Sequence, residues 1–318
     1  MAVVLVGGLG GGGDVGLAVV LSSLLRGIGV VYASFAGCAP CKYRGRRVAG
    51  SLFVPVDYHP RDFEWALKAL NPSLPVYRIC VRAERGEVEE ALEWLAHRYR
   101  LSCSVHTDIG GDGLLTGYEE SLGSYTADTL ARAALAEASE RHGWRSLLAV
   151  GGLQLEGGRR RVLSLEEQVA SLLYYEAQGA LLGVVDPPGD SAALAKALLY
   201  QGNGMVSVML PLYLAALEGR RAVRIARGYS IGYHRIDWWA RYVFVLDNAA
   251  ACSASPLCSA ARRGWLSGIE EWTAPEPRGS YARALEKAKR DPEEALRSII
   301  RRHTDNSVIE RACRGATA

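Results

Sequence analysis

The sequence predicts an α/β fold: a three-layer, mainly parallel, Rossmann-like sheet with helices on both faces and a helical C-terminal extension. Three observations predict it. Short continuous apolar runs, the mark of strands buried on both faces, alternate along the chain with longer helical periodicities. Strands separated by helices imply right-handed crossovers and hence parallel pairing. The composition, 49% hydrophobic and 22% charged over 318 residues, is that of a globular chain with a sizeable core.

The elements follow in order. Ala2 to Val6 reads as the first strand, with a glycine-rich loop after it and helical apolar spacing over Val15 to Leu25. Val30 to Phe35 and the shorter Ser51 to Val56 read as strands, and Arg61 to Leu70 as a helix closed by Asn71-Pro72, which cannot continue it. Val76 to Val81 is a strand; in the helix Glu87 to Tyr99, Val88, Leu92 and Leu95 share one face. Leu101 to Thr107 is a strand and Tyr125 to His142 a long Ala- and Leu-rich helix. Leu147 to Val150 and Leu181 to Val185 are strands flanking the helix Leu165 to Gln178, and Ser191 to Tyr200 is helical. Met205 to Leu217 reads as a buried helix, and Ala222 to Ala226 and Tyr242 to Leu246 as strands, antiparallel additions at the sheet edge. Pro275-Glu276-Pro277 leads into a charged helical tail, where Pro292 takes the first position of a helix. The expected organisation is one α/β domain over 1–273 and a helical extension over 274–318.

A net charge of +3 makes no electrostatic case for nucleic acid. Five Lys stand against 32 Arg, and Asn and Gln number four each, which points to a thermophilic source. The apolar N-terminus lacks a basic leader, and Met205 to Leu217 is too short to span a bilayer, so a cytoplasmic protein without membrane contact is expected. Seven cysteines are many for a reducing compartment; disulfides in a hyperthermophile, free thiols, or a zinc site from Cys38, Cys41, Cys252 and Cys258 are the alternatives. An odd number leaves at least one thiol unpaired within the chain.

The first glycine loop, Gly7 to Gly16, contains the run Gly10-Gly11-Gly12-Gly13-Asp14. Glycines let backbone N–H groups approach a ligand, and a helix N-terminus favours a phosphate or carboxylate. Gly8-x-Gly10-x-x-Gly13 matches the dinucleotide fingerprint, but Phe35-Ala36-Gly37-Cys38 stands where a ribose-binding acid would be, which disfavours NAD. No Gly-Lys-Ser/Thr follows, which excludes a P-loop. Asp14 either caps the helix or requires a bridging cation beside an anion.

The second loop, His106-Thr107-Asp108-Ile109-Gly110-Gly111-Asp112-Gly113, follows a predicted strand at the sheet edge where ligands bind in open α/β folds. Asp108 and Asp112 suit Mg²⁺ ligation or a base-and-anchor pair; the plainer reading is that they satisfy donors within a tight turn. Glu119, Glu120 and Asp128 make the region acidic, and His106 is the best-placed histidine for acid–base work, ahead of His59 and His234. Gly110 to Gly113 resembles the Gly-Gly-Asp-Gly motif of NAD kinases and phosphofructokinases, where such a turn lies near ATP phosphates; the usual Thr or Ser after it is Leu114 here. Arg44-Gly45-Arg46-Arg47 and Arg159-Arg160-Arg161 read as basic loop clusters, solvated or, for the first, facing a ligand phosphate.

Taken together, Gly10 to Asp14, Asp108 to Asp112, Gly117-Tyr118-Glu119, Ser124, Asp128 and Ile225-Ala226-Arg227-Gly228 resemble an archaeal family catalogued as a domain of unknown function, number 1152, over about residues 15 to 250. The resemblance implies where a site lies and leaves its chemistry open. The expected protein is a small-molecule enzyme that binds a phosphorylated or nucleotide-like ligand, with phosphoryl transfer or hydrolysis as the chemistry. Asp108, Asp112 and His106 are the expected catalytic residues, with Asp108 and Asp112 as Mg²⁺ ligands. Gly10, Gly11, Gly12, Gly13, Asp14, Gly110, Gly111, Glu119 and Ser124 are the expected ligand-binding residues. A non-catalytic nucleotide or metabolite sensor is the alternative from another class, and a metal-free lyase or cyclase a third. Fifteen Tyr and seven Trp leave room for a homo-oligomer interface. All of these readings require the two glycine turns to converge.

Overall fold

A computed structural model describes residues 2–10, 12–37, 45–56, 63–119, 125–155, 163–201, 207–225 and 231–315. The elements in chain order are β1 (Val3–Gly10), α1 (Gly12–Ser22), β2 (Gly29–Ala36), β3 (Gly45–Ala49), β4 (Leu52–Pro55), α2 (Phe63–Leu70), β5 (Val76–Cys80), α3 (Arg85–Tyr99) and β6 (Cys103–Ile109). Then come α4 (Tyr125–His142), β7 (Arg145–Gly151), α5 (Leu165–Ala177), β8 (Leu181–Val185), α6 (Ala193–Gln201), α7 (Met209–Leu217), β9 (Ala222–Ile225), β10 (Gly232–Arg235) and β11 (Val243–Asp247). Five helices close the chain: α8 (Asn248–Ala254), α9 (Pro256–Glu270), α10 (Gly279–Arg290), α11 (Pro292–His303) and α12 (Val308–Gly315).

The fold is mixed α/β around a nine-stranded sheet of order β3-β4-β5-β2-β1-β6-β7-β11-β8. The five strands β5-β2-β1-β6-β7 pair in parallel, and only β4 and β11 run against the common direction. Alternation along each strand divides the core. Val4 and Val6 of β1 face a cluster built with α1, α2, α6, α7 and α12, whereas Leu5 and Leu9 face one built with α3, α4, α5 and α8 to α11. Local chemistry fixes the helix starts: Ser164 and Glu167 form a reciprocal capping box on α5, and Asp291 caps α11 ahead of Pro292.

Several sequence readings are corrected. Arg46 and Arg47 lie on a strand, β3, and Arg47 is spent on Glu87 and the Gly50 carbonyl at the far edge of the sheet, with three strands between it and β1. β11 is antiparallel as expected, yet it lies between β7 and β8 instead of at an edge. β9 leaves the main sheet altogether and pairs with β10 in a two-stranded ribbon. Cys252 and Cys258 are joined to each other, which removes them as zinc thiolates; Cys38 and Cys41, with Arg44, His59 and Arg159 to Arg161, lie outside the described residues. Among the described residues no helix is long and apolar enough to cross a membrane.

The C-terminal segment wraps the edge strand. α10 and α11 belong to one core cluster and α12 to the other, with the crossing made at β8, where Asp305 N donates to Val184 O (2.8 Å) and Asp186 N to Asn306 Oδ1 (2.8 Å). That covers backbone groups an edge strand would otherwise offer to another chain. A disulfide between Cys103, at the start of β6, and Cys313 of α12 closes a loop of 210 residues. By loop-closure entropy such a link stabilises by about 5 kcal/mol. Cys313→Ser is therefore expected to lower unfolding stability by several kcal/mol in urea denaturation, and an unchanged midpoint would show that packing alone holds α12.

Candidate functional site

The strand order diverges between β1 and β6: the chain from β1 moves outward through β2 and β5, and from β6 through β7 on the other side. In open α/β sheets a crevice forms at the carboxyl ends of the strands at such a point. Both glycine turns arrive there. β1 runs through Gly10 and α1 starts at Gly12, so the described glycines are divided between strand end and helix start, with Gly11 outside the described residues. A Cβ on Gly8 would meet Val15 N at 2.5 Å and Asp14 Cβ at 2.8 Å, so the bare glycine lets the first turn of α1 fold back onto β1. A Cβ on Gly13 would meet Ser207 Oγ at 2.5 Å, which places the chain leading into α7 against the start of α1.

Asp14 ties the turns together. Its Oδ1 accepts a hydrogen bond from Ile109 N (2.9 Å), and Thr107 Oγ1 donates to Asp14 O (2.6 Å) and Gly7 O (3.2 Å). Asp14 thus stands in the first turn of α1, where the helix dipole favours a carboxylate, and anchors the end of β6.

The second turn carries the carboxylates. Asp108 lies on the last residues of β6, on the face shared with Ser104 and His106 and opposite Val105 and Ile109. Gly110 (φ 132°) and Gly111 (φ 118°) turn the chain through conformations that favour glycine, and Asp112 opens a short 3₁₀ turn over Asp112–Leu114. Asp108 Oδ2 accepts from Gly111 N (3.1 Å) and Gly113 N (2.9 Å), so the plainer reading of Asp108 holds for one of its oxygens. Asp128, in the first turn of α4, completes a cluster: Asp108, Asp112 and Asp128 each present an oxygen within 4.8 Å of the others, and all three are buried, at 2%, 6% and 4% exposure. Burial first, and the charge of Asp112 second, push the Asp108 carboxyl well above the usual carboxylate range, against the lowering effect of the Gly113 and Gly111 N–H groups. Three hard oxygen donors this close suit a divalent cation such as Mg²⁺, Mn²⁺ or Ca²⁺ better than Zn²⁺.

Buried polar side chains hold this turn from beneath. Arg132, one helical turn beyond Asp128 on α4, donates through Nη1 to Gly113 O (2.9 Å) and Leu115 O (3.0 Å) and through Nη2 to Tyr175 OH (3.2 Å). Gln168 of α5 donates Nε2 to Gly110 O (2.7 Å), and the same atom would lie 2.4 Å from a Cβ on Gly111. His106 lies deeper on the Asp108 face, within 3.5 Å of Ser146 Oγ, which also accepts from Asn248 Nδ2 (3.2 Å). Burial and then the Arg132 charge push the His106 imidazole down to about 3, against a hydrogen bond with Asn248, so it is neutral at physiological pH. Glu119 accepts from Thr116 N and Oγ1, Gly117 N and Ser171 Oγ, at 2.7 to 3.2 Å, and its carboxylate fastens the loop to α5.

The structure therefore brings Asp14, Asp108 and Asp112 to one edge, sets His106 in the polar layer below them, and commits Glu119 to the loop that follows. Ser124 lies outside the described residues. Sequence reasoning assigned the cation to Asp108 and Asp112, with Asp14 beside them, and missed Asp128 as a third donor and Arg132 as the strap. Their signal was present as two opposite charges four apart in the otherwise small and apolar run Ala127 to Ala136. Replacing Arg132 with Met would leave the Gly113 carbonyl buried without its donor, at about 1–3 kcal/mol, and the Leu115 carbonyl with the Tyr175 hydroxyl as its donor (3.2 Å). Arg132→Met is expected to cost about 1–3 kcal/mol in urea unfolding, and a loss below about 1 kcal/mol would show that the turn holds itself.

No curated protein and no solved structure matches the chain. A family model described as "Protein of unknown function (DUF1152)" matches residues 61–266. The match takes in the carboxylate turn and all of α4 and leaves the first glycine turn outside it, so that resemblance starts later than the residues around Gly10 had implied. Because the matched span is well over half of its length, the chain belongs to the DUF1152 family.

Proposed function

We propose that this chain is a small-molecule enzyme on a Rossmann-like three-layer scaffold, acting on a phosphorylated or nucleotide-like ligand by phosphoryl transfer or hydrolysis with Mg²⁺. The observation that carries the reading is the trio Asp108, Asp112 and Asp128, buried within 4.8 Å of one another at the carboxyl edge where the strand order diverges. Three carboxylates would hold the cation, and the bound cation would neutralise charge on phosphoryl oxygens. The N–H groups at the start of α1 would receive the anionic part of the ligand, with Asp14 keeping that helix in register with the carboxylate turn. Arg132 and Gln168 would hold the turn's carbonyls away from the ligand, and neutral His106 would position the layer below. A cytoplasmic, thermophilic archaeal setting fits the excess of Arg over Lys and the buried disulfides.

One feature favours a second reading, a non-catalytic nucleotide or metabolite sensor: the carboxylates lie beneath the surface, with one Asp108 oxygen already committed to the turn. The two readings part on turnover. A thermal-shift screen with nucleotides, sugar phosphates and CoA esters, with and without Mg²⁺ or Mn²⁺, tests the site itself, since a ligand of the folded state raises Tm with concentration. The enzyme reading expects a cation-dependent rise that Asp112→Asn and Asp128→Asn abolish, and release of phosphate or a phosphorylated product from a ligand found in the screen. A wild-type Tm indifferent to divalent cations would overturn the metal site, and a cation-dependent ligand bound without turnover would favour the sensor.

A further inference from the structure

A cavity of about 610 Å³ opens between the end of α7, the β9–β10 ribbon and a 3₁₀ turn over Trp238–Arg241. Its volume falls within the roughly 300–1,000 Å³ typical of small-molecule sites. It lies at the carboxyl edge of the sheet, because the turn leads into β11 and Val243 pairs with Gly151, the last residue of β7. The carboxylate cluster does not line it.

Its walls are cationic. Arg220, Arg221, Arg235 and Arg241 line it against one carboxylate, Asp237. Three of these guanidiniums are held by acids: Arg235 by Asp237 (2.8 Å), Arg241 by Asp186 (2.7 Å) and Arg220 by Glu218 (2.7 Å). Glu218 is shared with Lys196, so the surrounding charge stays positive. Arg221 is exposed and makes no ion pair among the described residues. The planar guanidinium fork pairs bidentately with phosphate or carboxylate. The wall also contains an aromatic surface: Trp238 is 39% exposed, with the Arg297 guanidinium 4.8 Å from its ring centroid. A partly exposed indole beside arginines suits an anion that carries a flat ring.

We propose that this cavity binds a ring-bearing organic anion of mononucleotide size, separately from the carboxylate cluster and without a divalent cation, the arginines supplying the countercharge. Calorimetric titration of the full chain in EDTA with AMP, adenosine and pyrophosphate tests this. The expected result is saturable AMP binding, tighter than that of adenosine or pyrophosphate. Arg221→Ala should weaken AMP binding about tenfold, the loss of a charged hydrogen bond, while Trp238→Ala should weaken AMP binding more than pyrophosphate binding. Asp112→Asn should leave AMP affinity unchanged, which separates this site from the metal site. The proposal is overturned by absence of saturable AMP binding in EDTA, by pyrophosphate binding as tightly as AMP, or by AMP binding lost in Asp112→Asn and retained in Arg221→Ala.

Discussion

Like charge gathered in a low dielectric sets the terms for the centre of this molecule. Two ionised carboxylates 4.8 Å apart repel by about 3 kcal/mol even at an effective dielectric near 20, and Asp108, Asp112 and Asp128 make three such pairs. Two backbone N–H bonds to Asp108 offset part of that cost, at roughly 1.5–3 kcal/mol each. A bound cation or a shared proton would offset more of it. The nearby buried cation, Arg132, points its Nη1 donors at turn carbonyls, so its hydrogen bonds shape the turn while the acids face one another.

The glycines around this centre have a steric purpose that does not depend on any ligand. Gly8 admits the first turn of α1, Gly113 lies where a Cβ would come within 2.9 Å of Asp108 Oδ2, and Gly111 leaves room for Gln168. A methyl group at Gly8 would prise α1 from β1, one at Gly113 would crowd Asp108, and one at Gly111 would displace Gln168. The hydrogen bond from Ile109 N to Asp14 then fixes two segments remote in sequence as neighbours. Precision in the site is thus a packing property of adjacent parallel strands, and it propagates outward through α4 and α5, whose buried faces carry Asp128, Arg132 and Gln168.

Much of this was readable from residue order. α4 and β8 fall where their periodicity put them, and the acids at 108 and 112 were placed at the carboxyl edge because the predicted strand Leu101 to Thr107 led into them. What periodicity could not supply was pairing. The apolar run over Val243–Asp247 announces a strand equally well at an edge or in the interior, and nothing local says that it lies between β7 and β8. Ala222–Ile225 reads as a strand but among the described residues pairs with β10 alone, whose alternating exposed residues gave no apolar signal. Asp128 was visible as an acid at a helix start, where acids are common for electrostatic reasons alone; its nearness to Asp108 comes from the packing of α4 against the sheet.

The placement of β11 bears on how the chain is built. In the finished sheet β8 hydrogen-bonds to β11 and not to β7, although β7 precedes it in the chain. As synthesis proceeds, Leu181–Val185 emerges with no laddered neighbour, and β7 keeps one flank open until Val243–Asp247 slots between them. A nascent chain halted before that strand would display two apolar, unpaired borders at once, the form most prone to sticking to other chains. Late insertion of an interior strand therefore makes synthesis through Asp247 the step that closes both borders.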